Sequence, residues 1–301
     1  MSTSPQTAGA SYYGNSALLR LARLGLSLSQ QLWPGLAVRA AQRLFGTPLP
    51  PRWLRRSRAW PAHWLIERWP FERAGLTLYR DSTVAGDAPA VLLVHGWGGH
   101  AGQMLPLAAA LAARGLQPVI LEMPAHGRSA GATSNLPQFA RALEYAAARL
   151  QASGLVLHAV VAHSLGANAA AHALSRGLAV QGLVMLAPPA SPHAYTQLFA
   201  RMFGLSERTR GAMQRRIEAR EGILMPQFEP AAVGPRIRVP TLVVHDRGDR
   251  INRFADGEAY GRAIGGATLH ATEGLGHMKI LKDPAVLARV ADFAGTGLSL
   301  R

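Results

Sequence analysis

The sequence predicts an α/β protein: a mostly parallel, doubly wound central sheet with a helical cap and an N-terminal helical extension. Three observations carry this expectation. From Gly75 onward, short apolar runs of buried-strand type alternate with helical patterns, the rhythm of a parallel sheet covered on both faces. The rhythm breaks once, between about residues 191 and 236, and resumes at Pro240. Finally, Ser164 stands between an apolar run, Leu155 to Ala162, and a small-residue helical run, Ala167 to Leu174, with Gly166 two residues on. A turn that tight needs small flanking residues. It exposes the hydroxyl at the strand end and at a helix N-terminus, where the dipole favours developing negative charge.

At 301 residues, one large α/β domain with an insertion fits better than two equal domains. A hydrophobic fraction of 49% with 16% charged residues describes a globular chain. The absence of cysteine excludes disulfides, thiolate metal sites and a cysteine nucleophile, and is compatible with the cytosol. The formal net charge of +15 comes almost wholly from arginine, since Lys279 and Lys282 are the only lysines. An anionic partner would explain it, as would a base-composition bias that also enriches Ala, Gly and Pro. No basic module with base-stacking aromatics is recognisable, so no nucleic-acid partner is expected.

Taken in order, residues 1–16 are small and polar and read as a disordered tail. Residues 17–74 form an extension. In it, Leu18, Leu21, Leu24 and Leu28 recur near helical spacing and Pro34 interrupts, which predicts a pair of amphipathic helices. Their longest uncharged stretch, Leu24 to Val38, is too short to span a bilayer. Packing on the domain is the first expectation for these helices, and a peripheral membrane contact through residues 17–69 the second. Residues 47–73 combine Pro, Arg and Trp53, Trp60, Trp64 and Trp69, and read as a connecting segment whose tryptophans cover the domain.

The main domain is expected over 75–301. Strands are predicted at Leu76–Arg80, Ala90–His95, Gln117–Glu122, Leu155–Ala162, Gly182–Ala187, Pro240–His245 and Ala267–Ala271. Helices are predicted at about Gln103–Arg114, Leu136–Gln151, Asn252–Ile264 and a last one ending at Phe293. The segment at about 191–236, with Phe199, Met202, Phe203, Met213, Met225 and Phe228 among arginines, reads as a lid whose soft apolar side chains shape a pocket.

In open parallel sheets, ligands sit beyond the carboxyl ends of the strands. The polar residues expected there are His95, Glu122, His126, Ser164, Asp246 or Asp249, and His277. Ser164, Asp249 and His277 supply a nucleophile, an acid and a base. A serine hydroxyl needs a base within hydrogen-bond reach, an imidazole titrates in the right range, and a buried carboxylate fixes its tautomer. Asp246 is the rival acid. The oxyanion of a tetrahedral intermediate needs two backbone donors, for which Trp97 and Leu165 are the candidates. His95 and His126 read as loop-shaping, and His163 as structural, its side chain directed away from Ser164. No metal-ligand spacing is present and no cofactor is expected.

The chain resembles the α/β-hydrolase fold superfamily from about Gly75 to the C-terminus. The likeness rests on His95-Gly96-Trp97-Gly98-Gly99, Met123-Pro124-Ala125-His126-Gly127-Arg128-Ser129, the Ser164 turn, His245-Asp246-Arg247-Gly248-Asp249 and Gly276-His277, in that order. Ala162 replaces a glycine of the family turn, and Glu122 stands where Asp is frequent. The resemblance implies a serine hydrolase working through an acyl-enzyme on a small, partly apolar acyl ester, with thioesters and amides less favoured. Members that open epoxides or displace halide carry Asp at the turn, so those reactions are not expected. An acyltransferase using the same three residues, or a membrane-surface binding protein, are the alternatives. A cytoplasmic, or membrane-associated, location is expected; the oligomeric state is not legible.

Overall fold

The computed structural model describes residues 17–49 and 59–295. The tail expected at 1–16 and Trp53 of the Trp-rich stretch lie outside the described residues. Eight strands form one sheet: β1 (Trp64–Phe71), β2 (Ala74–Asp81), β3 (Ala90–Val94), β4 (Gln117–Glu122), β5 (Leu157–His163), β6 (Gly182–Leu186), β7 (Thr241–Asp246) and β8 (Thr268–Thr272). Their order is β1-β2-β4-β3-β5-β6-β7-β8. β1 and β2 pair antiparallel, as do β2 and β4, and every other pair is parallel. β5, which leads into Ser164, is therefore central, and its residues from Ala159 to His163 are fully or almost fully buried, as a strand covered on both faces must be.

The strands and helices of 75–295 lie within a few residues of the expected positions, with two differences. β1 was expected to be connecting chain, but the sheet begins at Trp64, ahead of the boundary expected after residue 74. β1 lacks an alternating pattern and contains Pro70, which an edge strand tolerates because its outward N–H has no ladder to join. Trp60 and Trp64 do cover the domain: Trp60 stacks on Tyr79 at 3.9 Å and meets Trp64 edge-on. The last helix is split into α10 (Gly276–Lys279) and α11 (Pro284–Gly295), because Pro284 can open a helix but not continue one.

Helices α3 (Leu105–Ala112) and α11 pack on one face, and α4 (Leu136–Ala152) and α5 (Leu165–Ser175) on the other. Between β6 and β7 run α6 (Pro192–Phe203), α7 (Glu207–Glu221) and α8 (Pro230–Val233), and α9 (Phe254–Ala263) follows β7. The two expected amphipathic helices form as α1 (Ala17–Leu32) and α2 (Pro34–Phe45), broken at Trp33 where Pro34 starts the second. They pack on α6 and α7: Leu26 and Ala41 share a cluster with Phe199, Phe203, Met213 and Ile217. Gln30 clamps the α6–α7 corner, donating to the Gly204 carbonyl (2.9 Å) and accepting from the Ser206 N–H (2.8 Å). Phe45 meets Phe199 edge-on at 5.2 Å.

α1 thus has a packed face and an outer face, and paired substitutions separate them. Leu26 is 7% exposed and Leu28 is 60% exposed. Leu26→Ala should lower the opening free energy of the α1 amides, read by native-state hydrogen exchange, by about 2–4 kcal/mol. Leu28→Ala should change it by less than about 0.5 kcal/mol.

Candidate active site

Ser164 adopts φ 52°, ψ −126°, a conformation that L-residues rarely hold unless the surroundings enforce it. Here the strand before it is pinned by the Ser164 N–H to the Leu186 carbonyl (2.8 Å), and the helix after it by Ala167 N–H to the Ser164 carbonyl (2.9 Å). The hydroxyl lies 3.1 Å from His277 Nε2, and His277 Nδ1 lies 2.8 Å from Asp249 Oδ2. Nδ1–H donates to the carboxylate, which leaves Nε2 free to accept the serine proton. Ser164, His277 and Asp249, far apart in sequence, are therefore joined in one relay by the ends of β5, β8 and β7.

Asp249 rather than Asp246 faces the histidine. Burial raises the Asp249 pKa, but hydrogen bonds from His245 and His277, the His277 charge and the Ile251 N–H outweigh it and hold the carboxyl below the ordinary range. Asp246 instead ties two loops together. Its Oδ1 accepts from Gly248 N–H (2.9 Å), and its Oδ2 from the Thr272 hydroxyl (2.9 Å) and Leu275 N–H (3.0 Å). It thereby fixes the acid loop against the loop that presents His277.

Trp97 and Leu165 flank the same place. Leu165 opens α5, whose first-turn amides have no intrahelical acceptor. The loop carrying Trp97 lies hard against the Ser164 turn: a Cβ on Gly96 would stand 2.8 Å from Ser164 Cβ, and one on Gly166 2.6 Å from the His95 carbonyl. Only glycine permits this approach. His95 and His126 shape the loop as expected. His95 Nε2 accepts from Met123 N–H (3.1 Å), His126 Nε2 accepts from Gly98 N–H (3.0 Å), and His126 Nδ1–H donates to the Pro124 carbonyl (2.8 Å). Glu122 is buried and takes Tyr79 O–H (2.9 Å), Ala101 N–H (2.9 Å) and Arg128 N–H (2.6 Å).

Two residues at the site were not singled out in the sequence, or were given a lesser role. His163 Nε2–H donates to the His277 carbonyl (3.0 Å), and its ring lies 4.6 Å from the His277 ring. Burial, and then the neighbouring His277, hold its pKa well below the ordinary value. Asn252 donates to the Ala187 carbonyl (2.7 Å) and approaches Ser164 Oγ (3.4 Å), while its Oδ1 accepts from the Tyr195 hydroxyl of α6. An Asn three residues beyond a candidate acid carries no motif, so only the fold reveals it. Among the described residues no group of three His, Asp or Glu side chains is arranged to hold a metal ion.

Two recesses meet at Trp97. One, the more polar, opens on Ser164 and His277 and includes Arg250 and Lys279. The other is largely apolar and runs under α6 and α7, lined by Phe45, Leu165, Leu198, Phe199, Ile217 and Phe228 among others.

This architecture has relatives. A family model described as serine aminopeptidase, S33, matches residues 87–228, a span that contains Ser164 and stops short of Asp249 and His277. The chain has the fold of the α/β hydrolases that its solved neighbours share. Among solved structures, a bacterial membrane phospholipase A is similar at TM-score 0.61 and 17% identity, over 94% of this chain and 99% of that one. An esterase of Pyrococcus furiosus is similar at TM-score 0.60 and 17% identity (79% and 96%), and a thioesterase domain from the curacin biosynthetic pathway at TM-score 0.55 and 19% identity (77% and 99%). No curated protein matches the chain.

Two outcomes follow from the packing. Gly96→Ala should lower stability by about 1–3 kcal/mol, or several degrees in Tm by calorimetry, because the added methyl would meet Ser164 Cβ and the His163 carbonyl, which the Ser164 turn holds in place. The buried, neutral His163 makes stability pH-dependent. Below about pH 6.5 the unfolded chain binds a proton there that the folded chain does not, so stability falls by about 1.4 kcal/mol per pH unit. His163→Gln keeps the donor to His277 and should flatten the stability profile between pH 6 and 5 by about that slope, measured by urea denaturation.

Proposed function

We propose that the protein is a serine hydrolase that cleaves a carboxylic ester with an apolar acyl part. The observation that carries this reading is the relay from Ser164 Oγ through His277 to Asp249, at 3.1 and 2.8 Å. In it, Ser164 attacks the carbonyl while His277 Nε2 takes the hydroxyl proton. The N–H groups of Trp97 and Leu165 stabilise the oxyanion, and the imidazolium, held by Asp249, returns the proton to the leaving alkoxide. A water molecule then attacks the acyl-enzyme with the same base, releasing the acid.

The two recesses divide the substrate. The acyl chain occupies the apolar recess, roofed by the β6–β7 segment as a cap and closed at one side by Phe45 of the N-terminal extension. The alcohol part lies in the polar recess. An ester is favoured over a peptide because, among the described residues, Glu218 is the only acidic side chain lining the apolar recess, and its Oε1 already accepts from Gln214 (3.0 Å) and Met225 N–H (3.0 Å). A free α-amino group has no better anchor there. The names of the structural neighbours, an esterase, a thioesterase and a phospholipase, are consistent with acyl transfer to water.

A panel of p-nitrophenyl esters tests the reading. Hydrolysis should rise from acetyl to longer acyl chains. Ser164→Ala and His277→Ala should each lower kcat by roughly 10⁴- to 10⁶-fold, and Asp249→Asn by roughly 10⁴-fold. Asp246→Asn should cost much less than Asp249→Asn. Undiminished hydrolysis by Ser164→Ala, or labelling by a fluorophosphonate at another serine, would overturn the assignment. Transfer to added alcohols in preference to water would make the protein an acyltransferase.

A further inference from the structure

The outer face of α1 and the start of α2 has no covering element among the described residues. Leu21, Leu24, Leu28, Leu32, Trp33 and Leu36 are each 59–67% exposed. Leu21, Leu24, Leu28 and Leu32 recur at three- and four-residue spacing, so they form one stripe, on the side opposite the buried Leu26. Soluble surfaces seldom gather so much exposed leucine in one place without a partner.

Charge selects the partner. Residues 1–66 hold eight arginines and no acidic residue, the first being Glu67. Arg20, Arg23, Arg39 and Arg43 are all exposed, and none forms an ion pair with the described residues. On α2 the spacing places Leu36, Arg39 and Arg43 on one face. Arg39 and Arg43 also border a recess with Arg216 and Arg220 of α7. Apolar side chains rimmed by unneutralised arginine are complementary to one surface, an acyl layer beneath anionic headgroups. No helix among the described residues is long and apolar enough to cross a membrane, so the contact is with the surface.

We infer that α1 and α2 dock the protein on an anionic lipid bilayer, the leucine stripe entering the interface and Arg39 and Arg43 meeting lipid phosphates. The docked element is also a wall of the apolar recess. Phe45 ends α2 and lines that recess, and Leu49, four residues on, lines the polar one. Docking therefore brings the mouth of the site to the lipid. The inference stands on the surface alone and does not require Ser164 to be catalytic.

Co-sedimentation of the full chain with vesicles tests it. The wild type should bind phosphatidylcholine vesicles containing phosphatidylglycerol, with binding weakened by salt, and should bind pure phosphatidylcholine poorly. The double variant Leu24→Glu, Leu28→Glu should lose binding by roughly tenfold or more while keeping its circular dichroism spectrum and its hydrolysis of a soluble short-chain ester. Arg39→Gln, Arg43→Gln should lower binding to the phosphatidylglycerol vesicles by roughly tenfold while leaving weak phosphatidylcholine binding unchanged. Failure of the wild type to bind, or variants binding as tightly as wild type, would overturn the inference. So would a lipid-free dimer in sedimentation velocity that Leu24→Glu, Leu28→Glu dissolves, since the stripe would then face a second copy.

Discussion

The backbone after β3 and the turn after β5 approach each other so closely that neither position 96 nor position 166 has room for a methyl group. This contact sets the geometry of everything near Ser164. It presses the Trp97 loop against the Ser164 turn. It also explains why the turn tolerates Ala162 in place of glycine. The crowding falls on the residues after the serine and on the facing loop, while Ala162 is an ordinary buried strand residue paired with Val94 and Met185.

Around that contact, the buried polar groups divide into those joined to His277 and Ser164 and those that hold the loops. Asp249 belongs to the first group. Asp246, His95, His126 and Glu122 belong to the second, and each satisfies backbone N–H groups of a loop that would otherwise be buried unpaired. The pattern accounts for a cluster of polar residues far denser than a three-residue relay needs. It also accounts for the glycine at 127, where a Cβ would collide with the Glu122 carboxylate at 1.9 Å.

Much of this was legible in the sequence, because a central parallel strand is a continuous apolar run and a strand-end motif is a local signal. The elements from β2 to β8 and the residues Ser164, Asp249 and His277 are of that kind. β1 was hidden because an edge strand with Pro70 and outward Leu65 and Ile66 has neither alternation nor a full apolar run. The roles of His163 and Asn252 were hidden because they depend on which atoms meet across segments more than 60 residues apart: His163 with the His277 carbonyl, and Asn252 with that of Ala187. The two leading expectations for α1 and α2 concern different sides of the same helices, and periodicity alone does not say which stripe meets the protein.

The Asn252 side chain has a wider consequence. One end of its amide takes the hydroxyl of Tyr195 from the β6–β7 segment, and the other reaches toward the Ser164 oxygen. The wall of the apolar recess and the Ser164 oxygen therefore meet on a single planar group. A displacement of α6 that carried Tyr195 with it would reach the Ser164 hydroxyl through that one amide, across the 57 residues that separate Tyr195 from Asn252.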